Sequence, residues 1–125
     1  MINNNKTDFN QCVALVLRLL YKAFPRETNI VVDDLTESLD EEKTDNYFAS
    51  IRFLQRENFI RYQELHYNCF NGVVLTAKGL KVLDTFLDNK FNEEKTIGDE
   101  ISHALQDENE KAVERVIREV IKLSA

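Results

Sequence analysis

The fold is decided by residues 44–87, which read TDNYFASIRFLQRENFIRYQELHYNCFNGVVLTAKGLKVLDTFL. Residues 44–57 carry apolar side chains at helical spacing, so they predict a helix with one apolar stripe. The members of that stripe are Tyr47, Phe48, Ile51 and Leu54. Asn58 is predicted to end this central helix, and the other elements are expected to pack around it.

A hairpin and a second helix are predicted directly after the central helix. Residues 59–65 and 70–75 are rich in β-branched and aromatic residues, and the segment 66–69 between them is polar. This pattern predicts two antiparallel strands joined by a tip. Thr76 is a suitable N-cap for the next predicted helix, residues 77–87.

Two short motifs in this stretch resemble segments of winged helix-turn-helix proteins. The run IRFLQRENFI, residues 51–60, resembles the end of a recognition helix that leads into the first wing strand of bacterial winged-helix regulators. The run LTAKG, residues 75–79, resembles the segment that leaves the second wing strand in MarR-like and PadR-like proteins. Asn58 stands where such proteins often have glycine, and asparagine accepts the left-handed backbone better than most residues. The whole chain is also similar to small uncharacterised bacterial winged-helix proteins.

The segments before the central helix fit the same expectation. Residues 8–24 predict a helix with a wide apolar stripe, and Pro25 ends it because proline cannot continue helical hydrogen bonding. Residues 26–32 are expected to be extended. A short helix over 35–39 and a turn over 40–43 then give the spacing of a helix-turn-helix. The predicted fold is therefore mainly α with a small antiparallel β-hairpin, a winged helix-turn-helix followed by C-terminal helices.

The C-terminal part is predicted to be a helical extension, so that residues 1–90 form the winged-helix domain and residues 91–125 follow it. Helices are predicted over 97–106 and 110–123, after a polar linker over 89–95. Neither short helix can bury its apolar face alone. The resemblance to MarR-like proteins implies a homodimer interface there, while packing on the first helix of the same chain stays an open alternative. The candidate interface residues are Ile101, Leu105, Val113, Val116, Ile117, Val120 and Ile121.

The charge of the chain is acidic and uneven. The 125 residues contain 16 Lys and Arg against 22 Asp and Glu, a formal net charge of −6. Dedicated nucleic-acid binders usually have the opposite sign, because phosphate neutralisation supplies most of their non-specific affinity. A local basic face can still coexist with an acidic body.

The start of the central helix carries most of the local acidity. Asp40, Glu41, Glu42 and Asp45 lie where a DNA-reading helix would enter the major groove. Each carboxylate placed near a phosphate would cost on the order of 1 kcal/mol. We therefore predict an acidic surface that binds a basic protein partner or excludes DNA. The alternative is that these acids are solvated and only stabilise the helix N-terminus.

Four cations near the other end of the central helix form a candidate nucleic-acid contact. They are Arg52, Arg56, Arg61 and Lys78. Such side chains are often solvated or paired within the molecule instead. The wing aromatics Tyr62, Tyr67 and Phe70 are expected either to pack in the core or across the strands, or to contact a partner.

The sequence contains no motif of catalysis, cofactor binding or metal binding. A glycine-rich phosphate loop, a nucleophile beside a base and a spaced Cys or His cluster are all absent from it. It also has no run of roughly 18 uncharged apolar residues, and residues 1–6 are polar, which predicts a cytoplasmic protein without membrane contact.

The predicted function is a non-enzymatic winged-helix regulatory or protein-interaction module, dimeric and bacterial, that acts through its acidic surface. The alternative is a DNA-binding transcriptional regulator of the MarR or PadR type. A small apolar ligand at the dimer seam, as in some MarR-like proteins, is a third interpretation that no residue marks.

Overall fold

The computed structural model describes residues 4–36, 40–87 and 95–124. Within them the chain is mainly helical with a small antiparallel sheet, which confirms the predicted fold class. The helices and strands in chain order are α1 (Asn4–Ala23), β1 (Thr28–Val31), α2 (Val32–Leu35), α3 (Glu41–Arg56), β2 (Ile60–Arg61), β3 (Glu64–His66), β4 (Cys69–Leu75), α4 (Ala77–Leu83), α5 (Ile97–Gln106) and α6 (Glu110–Leu123).

The sheet is built around β4. Strand β1 pairs with one edge of β4, and β2 and β3 pair with the other edge, all antiparallel. The predicted first wing strand is therefore two short strands rather than one. Opposite β1, the chain bulges at Gly72, whose φ of 69° suits glycine and whose N–H donates to Asn29 Oδ1 (3.0 Å).

The junctions around α3 and α4 are fixed by local hydrogen bonds. Asn58 has a φ of 66°, the left-handed conformation that the sequence predicts for it. The Thr76 hydroxyl accepts a hydrogen bond from Gly79 N–H (3.0 Å), as predicted for an N-cap, and donates to the carbonyl of Asn58. This side chain therefore joins the end of α3 to the start of α4.

Helix α1 lies at the centre of the core. It packs against α3, β4, α5 and α6, so partners surround it on several sides. Its fully buried residues are Cys12, Val13, Ala14, Val16, Leu17 and Leu20. The wide apolar stripe seen in the sequence is thus shared among several elements of the same chain.

Helices α5 and α6 also pack on α1 within the single chain, which is the alternative that the sequence left open. Five of the seven candidate dimer residues are buried there: Ile101, Val113, Val116, Ile117 and Val120. Within the single chain these five side chains belong to the core. Leu105 is half-buried and Ile121 is 36% exposed, and the homodimer contact through the seven residues stays a prediction.

Several element boundaries differ from the predictions. Helix α3 begins at Glu41, because the carboxylate of Asp40 caps it, so the predicted turn over 40–43 is its first turn. Helix α4 ends at Leu83, because the chain then turns to bridge Phe86 with Thr96. Helix α2 follows β1 directly instead of starting at residue 35. Most of the predicted linker and the 90/91 domain boundary lie outside the described residues.

Truncation of Ile117 tests the packing of the C-terminal helices. This residue is 1% exposed, so Ile117→Ala is expected to lower the free energy of unfolding by about 2–5 kcal/mol through the cavity it leaves. The matched variant Ile121→Ala, on the exposed side of α6, should cost less than about 1 kcal/mol. Urea unfolding measures both values.

The same unfolding curves, repeated at a protein concentration about tenfold higher, distinguish packing within one chain from packing between chains. The loss of unfolding free energy caused by Ile117→Ala should not depend on protein concentration. A loss that appears only at the higher concentration would mean that α6 packs on another copy.

Candidate protein-interaction surface

The predicted acidic residues come together at the start of α3. Glu41, Glu42 and Asp45 are exposed, and none of them forms an ion pair within the described residues. Asp40 is also exposed, but its carboxylate accepts a hydrogen bond from Glu42 N–H (3.0 Å) and so caps the helix. The acids therefore stabilise the positive end of α3, and three of them still face solvent.

The position of this acidic end is fixed by polar contacts to α1. Asn46 Nδ2 donates to Asn5 Oδ1 and to Asp8 Oδ2, each at 3.0 Å. Ser50 Oγ donates to the carbonyl of Asn46 (2.7 Å), one turn back on the same helix. Asn46 could not be singled out from the sequence, because the pattern of α3 does not show which residues of α1 lie opposite it.

Tyr47 anchors the first turns of α3 in the core. Its side chain is 1% exposed, and the ammonium of Lys43 lies 5.9 Å from the centre of its ring. Cys12 of α1 donates its thiol hydrogen to the carbonyl of Tyr47 (Sγ to O, 3.6 Å). The acidic surface is therefore carried by a helix that is anchored at its start.

The four predicted cations do not all have the same role. Arg52 and Arg56 on α3 and Arg61 on β2 are exposed and have no ion pair within the part of the chain that the structure describes. Lys78 is half-buried, and its ammonium donates to the carbonyl of Glu57 (3.1 Å). Lys78 thus stabilises the C-terminal end of α3, where carbonyl groups lack helical partners.

One stripe of α3 faces away from the molecule and contains charges of both signs. Helical periodicity puts Glu41, Asp45, Ala49, Arg52 and Arg56 on the same side of the helix. All five are exposed. The stripe is acidic in its first half and basic in its second half, and the small side chain of Ala49 lies at its middle.

An open groove of about 550 Å³ adjoins the start of α3. It lies between α1, α2, α3 and the turn from α5 to α6, with Leu15, Leu35 and Leu105 among its apolar residues. Its charged lining residues are Asp8, Asp34, Glu108, Glu110, Arg18 and Lys43. Carboxylates therefore outnumber cations in the groove, as they do at the start of α3.

The three aromatic residues of the hairpin divide between core and surface. Phe70 is fully buried, and Tyr62 packs on it edge to face with ring centres 4.9 Å apart. Tyr67, at the hairpin tip, is 87% exposed, and its ring packs edge to face on that of His66 with ring centres 4.5 Å apart. Among these three residues, contact with a partner is open to Tyr67 alone.

Two titratable groups, Cys12 and Tyr47, lie buried in the core. Burial raises the pKa of the Cys12 thiol far above its ordinary value, and burial raises the pKa of the Tyr47 phenol as well. Both groups are therefore neutral near pH 7 and face the core. Among the described residues, no group of three or more His, Cys, Asp and Glu is arranged to hold a metal ion.

Comparison of the chain with protein-family models, with curated proteins and with solved structures finds no match. Across residues 4–36, 40–87 and 95–124, no helix is long and apolar enough to cross a membrane.

Replacement of Cys12 tests the effect of burial on its ionisation. The folded protein holds the thiol neutral, whereas an unfolded chain loses that proton above about pH 8.5. Above about pH 8.5 the unfolded chain therefore binds fewer protons than the folded protein, so the free energy of unfolding falls as the pH rises further. Below about pH 8.5 the thiol is protonated in both states and has no such effect. Urea unfolding of wild type between pH 8 and pH 10 should therefore show a falling free energy of unfolding.

The variant Cys12→Ala removes this contribution, so its free energy of unfolding should fall less steeply, by up to about 1.4 kcal/mol per pH unit. Equal slopes for wild type and Cys12→Ala would contradict the prediction.

Proposed function

We propose that this protein is a non-enzymatic winged-helix module that regulates or recruits another protein through the acidic surface of Glu41, Glu42 and Asp45. The observation that carries the proposal is the exposure of these three carboxylates on a helix whose start is anchored to α1. Asp40 belongs to the same surface but also caps the helix.

The order of the elements supports the winged-helix assignment. A helix, a strand, a short helix and a longer helix precede the hairpin, and the sheet order is β1, β4, β2. This agrees with the resemblance of residues 51–60 and 75–79 to MarR-like and PadR-like segments. An argument from fold alone is an analogy, so the proposed function rests on the surface and not on the fold.

The charge of the surface favours a basic protein partner. Opposite charges steer two proteins together and disfavour partners of the wrong sign. The groove beside α3 adds four more carboxylates, those of Asp8, Asp34, Glu108 and Glu110. We place the protein in the cytoplasm, as a module that works without a cofactor or a membrane surface.

A second candidate function is a DNA-binding transcriptional regulator of the MarR or PadR type. The exposed guanidinium groups of Arg52, Arg56 and Arg61 favour it. The acids at the start of α3 oppose it, because insertion of that end into the major groove would bring carboxylates close to phosphates. Lys78 is already bonded to the carbonyl of Glu57, which leaves three arginines for this role.

Binding of a fluorescent arginine-rich peptide tests the protein-interaction proposal. The triple variant Glu41→Gln, Glu42→Gln, Asp45→Asn removes the charges and keeps the side-chain shapes, so it should bind at least about tenfold more weakly. The control variant Glu27→Gln, Glu64→Gln, Glu114→Gln removes three exposed charges elsewhere and should change affinity less than about twofold. Equal losses in the two variants would mean that only net charge attracts the peptide.

Fluorescence anisotropy with a labelled mixed-sequence DNA duplex tests the alternative. A regulator would bind it tightly at about 50 mM salt and lose orders of magnitude in affinity by about 200 mM. Replacement of Arg52 and Arg56 by Ala would then weaken binding and reduce its salt dependence. The protein-interaction proposal predicts no tight binding to the duplex at either salt concentration.

A further inference from the structure

The exposed stripe of α3 separates its charges in a way that the helix itself cannot neutralise. Glu41 and Asp45 are one turn apart, and so are Arg52 and Arg56. Side chains four positions apart on a helix are neighbours, so each of these pairs brings like charges together. Opposite charges on the stripe are at least seven positions apart.

Helix α6 shows the usual alternative. There Glu114 bonds to Arg118 (2.8 Å) and Glu119 lies 3.5 Å from Lys122, so opposite charges pair along the same helix. On α3, by contrast, none of the four stripe charges has an ion pair within the described residues. The stripe therefore presents unpaired charges of both signs that are available to another molecule.

We propose that the stripe is an interface between two copies of this chain, with their α3 helices packed antiparallel about a two-fold axis. In that arrangement Asp45 faces Arg52 of the second copy, and Glu41 faces Arg56 of the second copy. Both pairs are centred on the same point, midway between positions 48 and 49, so one register satisfies them together. The two-fold axis repeats each pair.

The middle of the stripe permits close approach. Ala49 is exposed and lies beside the proposed axis, where a larger side chain would hold the two helices apart. Helices with small residues at their contact approach to axial distances of about 8 Å. Phe48, the other residue at the axis, is turned into the protein and packs on Phe70 with ring centres 5.8 Å apart.

This inference rests on the proposed function and names a partner for its acidic surface. The basic partner is the second half of α3 in another copy. It also moves the predicted homodimer away from α5 and α6, whose apolar residues are used inside the single chain. Because exposed ion pairs are weak and screened by salt, the dimer should be salt-sensitive.

Charge reversal with sedimentation velocity tests the interface. Arg52→Asp places two acids opposite each other at the 45/52 pair and at its two-fold copy, and Asp45→Arg places two cations there, so each variant alone should be monomeric at about 50 mM salt. An equimolar mixture of the two variants should form a heterodimer.

Lys111→Glu on α6 is the matched control, since it also replaces one exposed cation by an acid, and it should dimerise like wild type. Circular dichroism checks that every variant is folded. The inference is overturned if wild type is monomeric at about 50 mM salt, if both single variants still dimerise, or if their mixture stays monomeric.

The arginine-rich peptide separates this inference from the proposed function. Monomeric Arg52→Asp keeps the acidic half of the stripe, so it should bind the peptide at least as tightly as wild type. If wild type is monomeric but binds the peptide through its α3 acids, the inference fails and the proposed function stands. If wild type forms the dimer but Arg52→Asp does not bind the peptide, the surface serves self-association only.

Discussion

Burial of helix α1 is the constraint on which the rest of the structure depends. Its apolar residues recur around so much of the helix that one neighbour cannot cover them, and α3, β4, α5 and α6 all contribute. The apolar faces of α5 and α6 are buried against α1. Covering α1 also buries Tyr47, Ile51 and Leu54 of α3, which leaves the opposite side of that helix in solvent.

Helix α1 leaves one side of α3 uncovered. The outward side of α3 carries charges and Ala49, and it is fixed in place by Asn46 at its start and by Thr76 and Lys78 at its end. A rigid helix face presents its charges at constant spacing, which allows a partner to match them without ordering a loop first. We therefore propose α3, and not the hairpin, as the interaction surface.

Local rules predicted much of the architecture. The cap at Thr76 and the left-handed backbone at Asn58 each follow from a few neighbouring residues. The side on which α5 and α6 pack could not be predicted the same way, because an apolar stripe shows that a face is buried and not what buries it. The sequence predicted that the carboxylates at the start of α3 form an acidic surface. It could not predict the hydrogen bond from Asn46 to Asp8 that positions this surface, because that bond joins distant parts of the chain.

Cross-linking at position 49 would test the antiparallel α3 interface most directly. The variant Ala49→Cys, made with Cys69→Ser to leave buried Cys12 as the other thiol, puts one cysteine beside the proposed axis. Position 49 of each copy lies half a residue from the proposed axis, so the two introduced thiols are close enough for a disulfide when the helices pack closely. Mild oxidation at low salt should therefore give a covalent dimer that high salt suppresses. Lys111→Cys in the same background should stay monomeric. A covalent dimer that forms equally from Lys111→Cys, or none from Ala49→Cys, would contradict the account.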